Sequence, residues 1–133
     1  MGNQYTKYGR DRRGPPAARS SAEARSAGFT DGPYYHASDH ADAIQREGFR
    51  TKGAEPWEIQ DPGTMEEFKK FDTAQPTFLG THPDQVKNYG NQIVKVHARP
   101  GTVRSAEGMT LNGGHYVTSP EHIMPVGLFN DRR

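Results

Sequence analysis

A mixed α+β domain with a mainly antiparallel sheet is what this 133-residue sequence predicts. Three observations carry that expectation. Short runs rich in β-branched and aromatic residues recur along the chain, each bounded by Gly, Pro, Asp or Asn. Between them lie helical patterns of only one or two turns. The apolar supply is sparse, since Leu, Ile, Val and Phe total 19 residues and mean hydropathy is −0.97. A chain of this length supports one small core and not two.

The elements follow in order. Pro33 to Ala37 (PYYHA) reads as a first strand, set off by Asp31-Gly32 and Ser38-Asp39. Ser38 or Asp39 is the expected N-cap of a two-turn helix that buries Ala41 and Ile44. Gly48 ends this helix in a left-handed conformation, with Phe49 folding back onto it. Residues 51–63, which include Trp57, read as loop, and Thr64 caps a short helix over Met65 to Phe71. Pro76 to Thr81 (PTFLGT) is a second strand. Pro83 opens a helix, PDQVKNYG, whose Val86 and Tyr89 share a face. Gln92 to Ala98 alternates Ile93, Val94 and Val96 against Lys95 and His97, the pattern of a half-buried strand. Val103 belongs to a further strand, Asn112-Gly113-Gly114 is a turn, and His115 to Ser119 and Ile123 to Phe129 are the last two strands. No internal repeat is present.

The first 29 residues stand apart. They hold six basic groups (Lys7, Arg10, Arg12, Arg13, Arg19, Arg25) against Asp11 and Glu23, and no Val, Ile or Leu. Such a stretch has little to bury and is expected to be a flexible, extended basic arm, with residues 30–133 forming the domain. An arm of this kind attaches to a protein partner or assembly through Tyr5, Tyr8 and its arginines. Its arginines could also touch nucleic-acid phosphates, although a solvated basic tail is the commoner outcome. There are no cysteines, hence no disulfide and no zinc-thiolate site. No apolar run suggests a secretory signal or membrane span, so an intracellular protein without membrane contact is expected. Six histidines show no metal-ligand spacing beyond a weak His36/His40 pair, and no metal is expected. The phosphate-binding GxxxxGK loop, the GxSxG elbow and the HExxH helix are all missing.

Taken in order, strand-His36-Ala37-Ser38, a helix with A-x-x-I-x-x-x-G-F, the strand T-F-L-G-T, a helix ending in Tyr89-Gly90 and a late strand after a turn resemble the ADP-ribosyltransferase fold. The resemblance covers residues 33–129 and implies two small split antiparallel sheets with short helices. It implies an NAD-dependent ADP-ribosyltransferase or NAD glycohydrolase, with NAD as substrate. It assigns His36 to a ribose hydroxyl, the Ala37 backbone to the nicotinamide amide and Ser38 to a further hydroxyl contact. Phe78 and Tyr89 match the aromatic pair that sandwiches nicotinamide, a favourable arrangement for a flat cationic ring. Many relatives have Gly at the Ala37 position and Tyr at the Phe78 position.

Active members open a late strand with a glutamate, because positive charge develops on the ribose as nicotinamide leaves. Here that position is His115, and the nearest carboxylate is Glu121. His36, His115 and Glu121 are therefore the candidate catalytic residues. Plainer readings stand beside them: His36 as a structural strand-end histidine, Phe78 and Tyr89 as core aromatics, His115 as a polar strand residue. The alternative function is a catalytically inactive member serving as a structural or interaction protein. Phage genomes encode small proteins of this fold beside head proteins, so a virion component attached by the arm, or a protein of the host cytoplasm, fits that alternative.

Overall fold

The computed structural model describes residues 12–51, 77–106 and 115–129. The expected Trp57 loop, the Met65 to Phe71 helix and the Asn112-Gly113-Gly114 turn lie outside the described residues, as do Tyr5 and Tyr8. The fold is mixed α+β, with antiparallel sheets and few short helices.

One sheet orders its strands β2 (Asp31–Ser38), β5 (Gln92–Ala98) and β8 (Ile123–Phe129). The second orders β4 (Thr77–Leu79), β7 (Tyr116–Thr118) and β6 (Arg104–Ser105). The two meet where Tyr35 and Gly80 exchange backbone hydrogen bonds of 2.7 and 2.8 Å. A third, two-stranded ladder pairs β1 (Arg12–Arg13) with β3 (Arg50–Thr51).

β5 is central, with both edges paired, and both of its faces are covered. Val94, Val96 and Ala98 point into the main core with Ala41, Phe49, Leu79 and Ile123. That core includes helix α2 (Ala41–Glu47), whose Ala41 and Ile44 face inward as its periodicity predicts. On the opposite face, Ala18, Ala24 and Phe29 form a second cluster with Met124 and Val126 of β8. The alternation along β8 thus serves two cores at once.

That second cluster corrects the expectation of an extended arm. Residues 12–29 belong to the fold. Helix α1 (Ser21–Ser26) packs on the sheet, with Ser20 Oγ accepting from the Glu23 N–H and Glu23 Oε1 accepting from the Arg19 N–H. Ala17 and Ala18 donate backbone bonds to Gln45 and Pro125. Phe29 is buried beneath the Arg99 guanidinium, 4.3 Å from its ring centre. Small alanines and one aromatic suffice to dock the segment, because the sheet face opposite supplies the apolar surface.

Three further expectations are corrected. His97, expected on the polar face of β5, is fully buried, because α1 covers that face and Ser21 Oγ bonds its Nε2 at 3.0 Å. PDQVKNYG forms one 3-10 turn, Pro83–Gln85, and no longer helix. Val86 is consequently buried while Tyr89 is 55% exposed, so they share no face. The N-cap of α2 is His40, since the Ser38 hydroxyl accepts the His40 N–H itself.

Candidate functional site

β2 carries His36 across the sheet to the carbonyl of Phe78, which its Nδ1 meets at 2.8 Å. A carbonyl only accepts, so Nδ1 carries the proton. Burial pushes the imidazole below its ordinary pKa, against the smaller opposite pull of that carbonyl. His36 is therefore neutral at pH 7, and its Nε2 is left as a lone-pair acceptor. The ring stands edge-on to Phe49, with centroids 5.1 Å apart.

His36 lines a cleft of about 530 Å³. Ser38 from the end of β2, His40 at the N-cap of α2, Ala43, Ile44 and Glu47 from α2, Gly48 to Thr51 from β3 and its approach, and Thr77 from β4 complete its walls. The volume falls within the range of small-molecule sites.

The N-terminal segment builds one of these walls. β3 has β1 as its ladder partner, and the Gly14 N–H donates to the Phe49 carbonyl at 2.8 Å. Gly48 has φ +90°, and a Cβ there would fall 2.2 Å from the Gly14 carbonyl oxygen. Gly14 in turn lies against Pro120, whose oxygen would sit 2.1 Å from an added Cβ. Gly48 thus has the positive φ that the sequence suggests, but its ψ of 168° is extended, not left-handed helical.

The remaining candidates fall as follows. Ala37 is buried, and Ser38 lines the cleft with its hydroxyl turned to the His40 N–H. Phe78 is half-buried and contributes its carbonyl to His36. Tyr89 is exposed, but its neighbour Gly90 packs so tightly on β2 that a Cβ would lie 2.3 Å from Ser38 N. The Tyr-Gly pair is thereby tied to the strand end that bears the cleft. His115 is exposed at the head of β7, bonded through its N–H to the Leu79 carbonyl. Glu121 sits in the 3-10 turn Pro120–His122, and its carboxylate pairs with Arg12. Phe78, Tyr89, His115 and Glu121 do not line this cleft.

Sequence reasoning missed Arg12, Arg13 and Gly14 as parts of the site's surroundings. The Ser20-x-x-Glu23 pattern was the available signal, because it marks a helix start inside the supposed arm. Among the described residues no three His, Asp or Glu side chains gather to hold a metal, and no helix is long and apolar enough to cross a membrane. Comparison with protein-family models, curated proteins and solved structures finds no match for this chain.

Proposed function

We propose that the chain is an ADP-ribosyltransferase-like protein that binds NAD and transfers its ADP-ribose to an acceptor. The observation that carries this reading is His36: a neutral histidine, fixed at Nδ1 by the Phe78 carbonyl, lining a cleft at the junction of two small sheets. Its Nε2 is suited to accept a hydrogen bond from a ribose hydroxyl, and the fixed tautomer orients that acceptor before the ligand arrives. In the reaction the C1′–N bond to nicotinamide breaks, nicotinamide leaves with the bonding pair, and an acceptor nucleophile bonds C1′ and gives up its proton. Water in that role gives plain NAD hydrolysis.

A second reading, that the fold is kept for attachment without turnover, is favoured by one specific observation. Glu121, the nearest carboxylate to the late strand, is engaged by Arg12. Titration calorimetry of the intact protein with NAD tests the first reading. Wild type should bind, and His36→Ala should not. Equal NAD binding by wild type and His36→Ala sinks the role of His36. Binding accompanied by no release of nicotinamide favours the second reading.

A further inference from the structure

Three arginines from three separate elements converge on one carboxylate at the edge of the cleft. Arg13 of β1 approaches Glu47 Oε1 at 3.7 Å, Arg46 of α2 approaches Oε2 at 3.7 Å, and Arg50 of β3 approaches Oε1 at 4.0 Å. All three are ion pairs longer than a hydrogen bond. The arginine side chains remain 58, 66 and 65% exposed, so their N–H forks still face solvent. Exposed pairs of this length add little stability. Complementing the carbonyl end of α2 needs no more than one cation. Three guanidinium groups against one carboxylate leave a local charge of +2. Glu47 and Arg50 themselves line the cleft.

We infer that Arg13, Arg46 and Arg50 form a binding site for a multivalent phosphate group, such as a diphosphate, at the mouth of the cleft. Guanidinium forks match phosphate oxygens two at a time, and a group of charge −2 or more neutralises the local excess. Glu47 holds the three forks together while the site is empty and competes with the incoming anion. The N-terminal strand therefore supplies a ligand-binding residue, Arg13. The inference stands on the arginine cluster and not on the NAD reading.

The test is titration of the full-length protein with inorganic pyrophosphate, with thermal melts run beside each variant. Wild type should bind one pyrophosphate, more weakly as salt is raised. Arg13→Gln, Arg46→Gln and Arg50→Gln should each weaken it roughly tenfold, the loss of one charge-assisted bond. Glu47→Gln should tighten it several-fold by removing the competing carboxylate, an effect that a merely structural ion-pair network would not give. Absence of pyrophosphate binding to wild type, indifference to the arginine changes, or weaker binding in Glu47→Gln overturns the site. Where an arginine-to-glutamine change lowers the melting point, the corresponding Arg→Lys variant keeps the charge and should retain part of the affinity; lysine binding no better than glutamine also overturns it. NAD titration run beside pyrophosphate titration on the same variants separates the two readings. Pyrophosphate binding that ignores the arginine changes overturns this site and spares the NAD reading, whereas pyrophosphate binding without NAD binding supports this site and defeats that reading.

Discussion

At the scale of single residues, His36 carries two separable bonds. Its Nδ1–H serves the Phe78 carbonyl, and its Nε2 is free to serve a ligand. Asparagine places an amide N–H near the position of Nδ1 but has nothing at Nε2. His36→Asn should therefore keep most of the folding stability and lose NAD binding. His36→Ala should lose both, at a stability cost of about 1–3 kcal/mol for the stranded carbonyl. Denaturant melts with NAD titration separate the cases, and an asparagine variant as unstable as alanine counts against the assigned tautomer. The same burial makes a pH prediction. His36 and His97 are both held below the ordinary imidazole value, His97 by burial first and then by Arg25 and Lys95, against the pull of Asp31. A depressed base means that the unfolded chain binds more protons than the folded one. Stability contributed by these groups is thus intact above the unfolded value of about 6.5 and falls as pH drops below it. Melting temperature should decline from pH 7 towards pH 5, and His97→Gln should flatten part of that decline. A melting temperature that rises over this range contradicts the assignment.

At the scale of elements, helix α1 is where the sequence was hardest to read. β5 was legible from its β-branched alternation and β8 from an apolar run that Pro125 interrupts, and both are observed over the expected residues. The Pro83 turn was legible at its start, since proline suits a first helical position, but not in its length. The arm was not legible from composition, which counts Val, Ile and Leu and so passes over Ala18, Ala24 and Phe29. These residues need the opposing face of the sheet before their burial makes sense. The misplacement of His97 is the same error seen from β5: without α1 overhead, that face looks solvated. Likewise His36 was legible as a candidate from its flanking pattern, but its tautomer required Phe78, which is 42 residues away. If α1 is integral, Phe29→Ala should destabilise the protein by about 3–5 kcal/mol, the range for emptying a buried aromatic site. Urea unfolding followed by far-UV circular dichroism measures it. A change below about 0.5 kcal/mol would return residues 12–29 to the status of an appendage.

At the scale of the whole molecule, the first described strand, β1, reaches both the 3-10 turn before the last strand and the cleft. Arg12 reaches Glu121 beside the last strand, while its neighbour Arg13 reaches Glu47 at the cleft. Gly14 passes between Gly48 and Pro120, where neither neighbour leaves room for a Cβ. Glu121 is thus one of the fastenings of the N-terminal segment, and a carboxylate committed to a guanidinium is poorly placed to meet a developing oxocarbenium ion. Glu121→Gln should accordingly lower stability by about 1–3 kcal/mol, as loss of a charged hydrogen-bond partner does, and leave any NAD hydrolysis essentially unchanged. The charge that the reaction requires is lacking at residue 115, where active relatives of the proposed family have glutamate. Residue 115 is exposed and outside the cleft wall, so His115→Glu should leave nicotinamide release at the wild-type level; a rise would place residue 115 beside the reacting ribose, where a negative group stabilises positive charge formed only in the transition state. Nicotinamide release from NAD, assayed by chromatography on folded variants, decides between these roles. Loss of turnover in Glu121→Gln at unchanged melting temperature would make Glu121 the working carboxylate and its bond to Arg12 incidental. If neither wild type nor His115→Glu releases nicotinamide although NAD binds, the cleft holds its ligand without consuming it, and attachment becomes the function to pursue.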